Sequence, residues 1–307
     1  MTGETVTRPH LDPALAHRLS EVGGVVLDID GCLILSSRPA GHDGTPLPGA
    51  VESVAAIRDS GRRVLAFTNA SSRPPAQIAQ TLAGLGFGFR AEDVLTPSVV
   101  AVAVLRQRFG DAPVMAFGGP GLVDVLRDGG IRLCAPGDGT AAAAVIVGWD
   151  TAFDQTKLQA AADAVWNGAP LLVTSDAPMF ATAGRRSAGA AGFIASGLAH
   201  VTGARYEVLG KPSALAAAAA ARRLGVPTGR MLVAGDDLTL EVAMARQVGG
   251  VGVLVTTGLN SRADALRAAP DQRPDLVVDG LAELAFTLVN ADEVTGEHSP
   301  AESFPPR

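Results

Sequence analysis

Two carboxylates, Asp28 and Asp30, stand directly after the apolar run Gly24-Val25-Val26-Leu27, which is typical of a buried parallel strand. Open α/β sheets place their reactive groups at the carboxyl ends of such strands, and Gly31 lets the backbone turn sharply there. Because the two carboxylates repel each other, we expect a divalent cation between them. The pair predicts a reaction in which one carboxylate attacks and the other moves a proton, although a helix or turn cap also explains an isolated Asp-x-Asp.

Polar residues also stand where two further strands are predicted to end. Thr68 and Asn69 follow the apolar segment 64–67, and their side chains can donate hydrogen bonds to phosphate oxygens. Such residues also form ordinary turns. Lys211 lies between a short strand and an Ala-rich helix, where its ammonium can reach a central anion. The alternative for Lys211 is a solvated surface lysine.

A second acidic cluster follows the predicted strand at 231–234. Asp236 and Asp237 stand at the strand end, and Glu241 lies in the first helical turn after it. Mg²⁺ prefers oxygen ligands and keeps several waters, so one or two of these carboxylates are enough to bind it. Helix capping explains one of these acids equally well.

The elements that must position these residues alternate along nearly the whole chain, as in an α/β protein with parallel strands. The predicted strands are 25–28, 64–67, 114–117, 144–147, 171–174, 208–209, 231–234, 253–255 and 276–278. The predicted helices are 50–60, 75–85, 99–109, 122–127, 155–166, 190–201, 213–224, 240–248 and 281–289. The segment 36–48, rich in Gly, Pro, Ser and His, is predicted to be a loop beside the end of the first strand.

The candidate chemistry lies in the first and last parts of the chain and is sparse in the middle. We therefore predict a discontinuous core formed by residues 1–97 and 207–289. Residues 98–206 are predicted to be an inserted cap. Residues 290–307 are polar, acidic and contain proline, and we expect a disordered tail there.

Composition limits the classes of function. The net charge of -6 argues against a general nucleic-acid binder, which normally has a basic surface. No stretch reaches the roughly 18 apolar residues of a membrane helix, and the N-terminus lacks the apolar region of a signal peptide. Cys32 and Cys134 are too few for a disulfide framework, so a reducing cytoplasm is the expected compartment.

In this order, the four polar segments resemble the four motifs of the haloacid dehalogenase (HAD) superfamily, and the resemblance covers about residues 23–289. Phe67-Thr68-Asn69-Ala70-Ser71-Ser72-Arg73 is similar to the Thr-Asn-x-Ser-x-Arg stretch of type IIA, or NagD-like, phosphatases. Gly210-Lys211-Pro212-Ser213 and the segments 145–150 and 167–170 are similar to the same branch. The resemblance implies a Rossmann-like parallel-sheet core with an inserted α/β cap of the C2 type.

The resemblance also implies a role for each matching residue. Asp28 is the nucleophile that accepts the phosphoryl group as an aspartyl phosphate. Asp30 is the general acid for the leaving alcohol and then the base for water. The residues implied in phosphate binding are Gly31, Thr68, Asn69 and Lys211. The reaction then depends on positioning and on electrostatic stabilisation of the transferred phosphoryl group.

The implied cofactor is Mg²⁺. Its ligands are the Asp28 carboxylate, the backbone carbonyl of Asp30 and the Asp236 carboxylate, supported by Asp237 or Glu241. Glu241 replaces the usual aspartate, which keeps the charge and changes the reach. The site is therefore predicted to hold one cation beside the nucleophile.

Within the superfamily, an aspartate at position 30 favours release of an alcohol from a phosphate monoester. The implied partners are a small phosphorylated metabolite and a second copy of the chain bound through the cap. Neither nucleic acid nor a membrane is expected as a partner. The substrates implied are glycerol phosphate, phosphoglycolate, nucleoside monophosphates, pyridoxal phosphate or aryl phosphates.

Two other functions compete with the phosphatase. One is a non-catalytic or regulatory small-molecule-binding protein on the same fold. The other is a dinucleotide binder that uses Gly118-Gly119-Pro120-Gly121, but the third glycine of the fingerprint and an acid about 20 residues on are missing. Cys32 stands where the family usually has Thr or Val, and it is interpreted as a small buried hydrophobe rather than a redox group.

Overall fold

Two parallel sheets, of six and four strands, organise the chain, and the computed structural model describes residues 11–36, 44–182 and 185–294. Within them the strands are β1 (Gly24–Leu27), β2 (Ile34–Leu35), β3 (Thr45–Pro46), β4 (Arg63–Phe67), β5 (Val94–Leu95), β6 (Val114–Phe117), β7 (Ala144–Val147), β8 (Leu171–Val173), β9 (Met179–Thr182), β10 (Arg185–Ala188), β11 (Tyr206–Val208), β12 (Met231–Gly235), β13 (Val251–Val255) and β14 (Leu276–Val278). The helices are α1 (Pro13–Ser20), α2 (Ala50–Asp59), α3 (Pro75–Gly84), α4 (Pro97–Phe109), α5 (Pro120–Asp128), α6 (Gln155–Trp166), α7 (Ala190–Thr202), α8 (Ala214–Leu224), α9 (Ala243–Gln247), α10 (Arg262–Arg267) and α11 (Leu281–Val294). None of the helices in the described residues has the length and apolar character needed to cross a membrane.

The six-stranded sheet has the order β14-β13-β12-β1-β4-β5, and its neighbouring strands are parallel. Its central strands are apolar on both faces because helices cover both. Val25 and Leu27 pack with α1, α2 and α11, whereas Val26 packs with α4, α8 and α9, since successive side chains of a strand point to opposite faces. This arrangement confirms the predicted α/β fold class.

The strand order brings distant parts of the sequence together. β1 pairs with β12 on one side and with β4 on the other. The residues that follow these three strands therefore meet at one edge of the sheet, where open α/β sheets bind their ligands.

The four-stranded sheet, with the order β11-β8-β7-β6, is built from the middle of the chain. Helices α6 and α7 pack against it. The position of β11 corrects the predicted domain boundary. Tyr206–Val208 pairs with β8, so this strand belongs to the second sheet and crosses the predicted start of the core at residue 207.

Several elements differ from the prediction because they are short or irregular. Two antiparallel strand pairs, β2–β3 and β9–β10, are absent from the prediction. β2 and β3 have only two residues each, and β10 is polar, so neither pair gives two apolar runs; β3 falls within the loop predicted at 36–48. Residues 37–43 of that loop lie outside the described residues. Helix α11 continues to Val294, past its predicted end at residue 289, so disorder from residue 290 is wrong for 290–294. Residues 295–307 lie outside the described part of the chain.

Candidate active site

The polar residues after β1, β4 and β12 meet at the carboxyl edge of the six-stranded sheet. Asp28 follows β1, Thr68 follows β4 and Asp236 follows β12, and all three are buried. Lys211 reaches the same place from the loop before α8. The tertiary structure thus assembles four of the residues that the sequence predicts in one site.

Lys211 is at the centre of the charged cluster. Its side chain is fully enclosed, with the whole residue only 1% exposed, so it is not the solvated surface lysine of the alternative interpretation. Nζ donates to a carboxylate oxygen of Asp28 and to the Phe67 carbonyl at 2.9 Å. It also lies 2.5 Å from Oε1 of Glu241. The ammonium therefore bridges two buried carboxylates.

The charges of this cluster leave an excess of negative charge. Burial raises the pKa of the Asp28 carboxyl, and the Lys211 ammonium offsets part of that rise. Burial and the nearby charge of Asp28 raise the pKa of Asp236 to about 7. Burial lowers the pKa of Lys211, but the Asp28 and Glu241 carboxylates together raise it above its ordinary value. A divalent cation beside Asp28 and Asp236 would relieve their mutual repulsion.

The Asp236 carboxylate lies in a space that two glycines leave open. A Cβ on Gly31 or on Gly258 would overlap the Asp236 side chain. The Leu259 amide donates to Oδ2 of Asp236 at 2.8 Å, and the Asn260 amide donates to the Asp236 carbonyl at 3.0 Å. The loop after β13 thus fixes the position of this carboxylate.

The carboxylates of Asp28 and Asp236 are compatible with a Mg²⁺ site. In the described ranges, no group of three or more His, Cys, Asp or Glu side chains is arranged as a metal site. Mg²⁺ does not require such a group, because it binds through one or two carboxylates and retains water. Asp28 and Asp236 are two such carboxylates, and each has a raised pKa because of burial and crowding.

Asp30 lies just past the turn that follows β1. The buried hydroxyl of Ser36 donates to Oδ1 of Asp30. Gly31 has a φ of +90°, which favours glycine, and its carbonyl accepts a hydrogen bond of 2.5 Å from the Thr257 hydroxyl. The turn is therefore held on both sides, and Asp30 is less buried than Asp28.

The two acids predicted to support the metal have other partners. The Glu241 carboxylate is buried and contacts Lys211 through one oxygen, while the other oxygen accepts from the Asp237 amide at 3.2 Å. Asp237 caps the π-helical segment Leu238–Val242, because its Oδ1 accepts from the Thr239 amide at 2.7 Å. Asp237 is therefore a helix cap, as the alternative interpretation of these acids has it. Glu241 lies beside Lys211.

The segment after β4 shapes the lysine loop. Both polar ends of the Asn69 side chain contact the Lys211 backbone: Oδ1 accepts from the amide at 2.8 Å, and Nδ2 donates to the carbonyl at 2.9 Å. Thr68 Oγ1 accepts from the Ala70 amide at 3.1 Å. In this structure, Asn69 therefore positions Lys211, whereas the sequence predicts that it binds phosphate.

Ser71, which carries no role in the sequence prediction, joins the same segment to the four-stranded sheet. Its hydroxyl accepts from the Trp149 amide at 3.0 Å and is hydrogen-bonded to the Thr174 hydroxyl at 3.1 Å. Gly121 at the start of α5 approaches the 71–73 backbone so closely that a Cβ would overlap it. This packing gives Gly121 a structural role that needs no dinucleotide.

Two groups that hold side chains of the candidate site carry no role in the sequence prediction: Ser36 and the loop 256–260. The loop 256–260 carried a usable signal, because Thr256-Thr257-Gly258 follows an apolar run in the same way as the four motifs do. Ser36 carries no such signal, whereas Ser71 stands in the Thr-Asn-x-Ser-x-Arg stretch, which does not indicate its partners. Cys32 lies in the hydrophobic core, in agreement with its interpretation as a small hydrophobe.

Comparison with known proteins decides the family. A family model described as haloacid dehalogenase-like hydrolase matches residues 25–132, and a HAD-hydrolase-like model matches residues 208–284. Chronophin of Rattus norvegicus is 33% identical over 301 residues, which cover 95% of this chain and 94% of the relative. The chain belongs to the haloacid dehalogenase-like hydrolases. The family predicted from the motifs is therefore confirmed.

Solved structures indicate to which branch of the family the chain belongs. A 4-nitrophenylphosphatase from Thermotoga maritima is similar with a TM-score of 0.78 at 26% identity, and the match covers 88% of this chain and 98% of that one. A glycerol phosphate phosphatase from Mycobacterium tuberculosis, in complex with magnesium, has a TM-score of 0.77 at 28% identity, with 87% and 77% coverage. The predicted NagD-like branch and the assignment of the chain as a phosphatase-type enzyme are confirmed.

Proposed function

We propose that this enzyme is a Mg²⁺-dependent phosphatase that hydrolyses a small phosphate monoester through an aspartyl-phosphate intermediate. The observation that carries the proposal is the burial of Asp28 and Asp236, after adjacent strands, beside the Lys211 ammonium. A negatively charged phosphoryl group needs a cationic surrounding to approach a carboxylate, and an ammonium with a divalent cation supplies it.

In the proposed reaction Asp28 attacks the phosphorus atom of the ester. One of its oxygens accepts a hydrogen bond from Lys211, and the other is proposed to make the attack. The bond between phosphorus and the alcohol oxygen breaks as Asp30 donates a proton to that oxygen. Asp30 then takes a proton from water, which attacks the aspartyl phosphate and releases inorganic phosphate and free Asp28.

The cation would be held by Asp28, Asp236 and the carbonyl of Asp30. When bound, Mg²⁺ neutralises phosphate charge and orients the phosphoryl group for in-line attack. The protein's own contribution is positional: the 256–260 loop holds Asp236, Ser36 holds Asp30, and Asn69 holds Lys211. Thr68 and Lys211 are proposed to bind phosphate oxygens.

The test is hydrolysis of 4-nitrophenyl phosphate by the purified chain with Mg²⁺ and with EDTA. We expect turnover only with Mg²⁺, and a loss of at least about 10³-fold in Asp28→Asn, because an amide cannot attack phosphorus. Asp59→Asn, an exposed site on α2, is the matched control and should retain wild-type activity. Absence of turnover from pH 5 to 9 would favour the non-catalytic binding protein, and an active Asp28→Asn variant would exclude Asp28 as nucleophile.

The solved relatives support a proposal for the substrate class. The two solved relatives described above are named for an aryl phosphate and for glycerol phosphate, which are both small monoesters. We propose a substrate of this size and not a phosphorylated macromolecule. Ranking monoesters by kcat/KM identifies it, and a phosphoprotein hydrolysed faster than every small ester would contradict the proposal.

We also propose a cytoplasmic homodimer that assembles through the four-stranded sheet and its helices. Phe193 on α7 is 81% exposed and Trp166 on α6 is 56% exposed, and a dimer interface there would bury both apolar side chains. Cys32 and Cys134 do not form a disulfide with each other, which is compatible with a reducing compartment. Light scattering of the wild type and of Phe193→Ser tests the assembly: a monomeric wild type would exclude it.

A further inference from the structure

A cavity of about 580 Å³ lies at the edge of the six-stranded sheet opposite the active site. It is bordered by the first residues of β4, whereas Thr68 follows the last residue of the same strand. Its other borders are the end of α2, the end of α8 and the turn before β5. Six charged side chains line it: Arg58, Arg63, Arg90, Glu92, Asp93 and Arg223.

Arg58 has all of its hydrogen-bond donors available in the described residues. Its guanidinium stacks on the ring of Phe89 at 4.6 Å from the centroid. Among the residues that the structure describes, it has neither an ion pair nor a hydrogen bond. Burial lowers the pKa of Arg58 and Arg90 lowers it further, while Asp93 opposes the shift. A partly buried guanidinium in a fixed orientation is a ready donor for an anion.

Arg223 and Arg63 are held in place by only part of their donors. Nη1 of Arg223 donates to the carbonyls of Glu92 and Val94, both at 2.9 Å. Nη1 of Arg63 donates to the Leu224 carbonyl at 3.2 Å. A guanidinium has five N–H donors, so each side chain is oriented and still offers donors to a ligand.

The two acids of the cavity offset only part of the arginine charge. Arg90 pairs with both of them, at 2.7 Å from Glu92 and 3.3 Å from Asp93. The lining carries four arginines and two acids, hence a net charge of +2, on a chain whose net charge is -6. A positive cavity on an acidic protein concentrates small anions locally.

We propose that this cavity binds a small phosphate-bearing anion, at a site separate from the active site. Phosphate matches the planar, bidentate donor geometry of arginine better than a monovalent anion does. The volume lies within the roughly 300–1,000 Å³ of small-molecule sites, so a phosphorylated metabolite up to the size of a nucleotide fits. The proposal requires no catalytic role of the chain.

Calorimetric titration with inorganic pyrophosphate tests it. EDTA removes divalent cations, which minimises binding at the carboxylate site, and potassium chloride keeps the ionic strength constant. We expect saturable binding to the wild type and at least about tenfold weaker binding to Arg58→Met and to Arg223→Met, because each loses charge-assisted hydrogen bonds.

Arg222→Met is the matched control, because Arg222 is an exposed neighbour of Arg223 on α8 and does not line the cavity. It should bind pyrophosphate within about twofold of the wild type. Circular dichroism checks that each variant is folded, and Arg58→Lys offers a second variant that keeps the charge and loses the bidentate donors. Non-saturable binding to the wild type, or equal affinities of the wild type, Arg58→Met and Arg223→Met, would overturn the proposal.

Discussion

Asp236 and Lys211 are held in the site by different means. Asp236 is confined by backbone, because Gly31 and Gly258 leave only enough room for its carboxylate. Lys211 is held by charge, between Asp28 and a second carboxylate. Small changes in side-chain volume should therefore move Asp236, whereas changes in charge should affect Lys211.

Gly258→Ala tests the confinement of Asp236. The added methyl would overlap the Asp236 carboxylate, so we expect Mg²⁺ affinity to fall at least about tenfold by calorimetry, with a parallel loss of activity. Gly84→Ala is the control, because a Cβ there meets nothing within 4 Å. An unchanged Mg²⁺ affinity in Gly258→Ala would show that Asp236 does not bind the cation.

Lys211→Met tests the charge balance. The substitution leaves two buried carboxylates without a cation, and breaking a buried pair costs about 3–5 kcal/mol. We expect the free energy of unfolding in guanidinium to fall by that order, and the additional change Glu241→Gln to recover part of it. The other lysine, Lys157, has a side chain that is 30% exposed and pairs with Asp150, so Lys157→Met should cost less, about 1 kcal/mol. Equal losses for the two lysines would contradict this account.

The segment 69–73 contacts both the loop that carries Lys211 and the loop that follows β7 in the second sheet. Asn69 holds the Lys211 backbone through two hydrogen bonds, and Ser71 accepts a hydrogen bond from the Trp149 amide of the second sheet's loop. Gly210 adds to the junction, because a Cβ there would overlap Asn69 and lie close to Pro97 at the start of α4. The placement of the second sheet and that of the lysine are thus coupled through a few neighbouring residues.

Ser71→Ala tests that coupling. The Trp149 amide loses its serine acceptor, and the loss of one such hydrogen bond costs about 0.5–1.5 kcal/mol. We therefore expect faster amide hydrogen exchange at Gly148 and Trp149, with an increased KM for 4-nitrophenyl phosphate. Ser72→Ala, the neighbouring residue, is the control and should leave both unchanged. Exchange rates that are the same in Ser71→Ala and the wild type would exclude Ser71 as a link between the sheets.

At the scale of the whole molecule, one cation would connect residues from the first and the last part of the core. Asp28 and Asp236 follow neighbouring strands, β1 and β12, although more than 200 residues separate them. A ligand that binds only the folded state stabilises it, because unfolding separates its ligands. Mg²⁺ should therefore affect global stability and not only catalysis.

Thermal unfolding with and without Mg²⁺ measures this effect. At a concentration of about 100 times the Kd, binding stabilises the folded state by about 2.7 kcal/mol, so we expect a clear rise in Tm. Asp236→Asn should lose most of the rise, whereas Asp59→Asn should keep it. The same rise in Asp236→Asn as in the wild type would mean that Mg²⁺ stabilises the chain elsewhere.

Much of the site was predictable because its chemistry is local in sequence. Asp28, Thr68 and Asp236 each follow a mostly apolar strand of four or five residues, and a parallel sheet must bring such ends to one edge. Lys211 was predicted from its position before an Ala-rich helix. The positioning residues were less visible, since Ser71 and Gly258 contact groups that are far away in the chain.

The sequence by itself determined the α/β class and the order of the four motifs, through which the chain resembles its family. The class depends on apolar periodicity and the motifs on residue types at strand ends, which are properties of short segments. Only the tertiary structure decided that Glu241 contacts Lys211, that Asn69 holds the lysine backbone and that β11 belongs to the second sheet. The physical reason is that side-chain direction and strand partnership depend on neighbours separated by many residues, which no local pattern encodes.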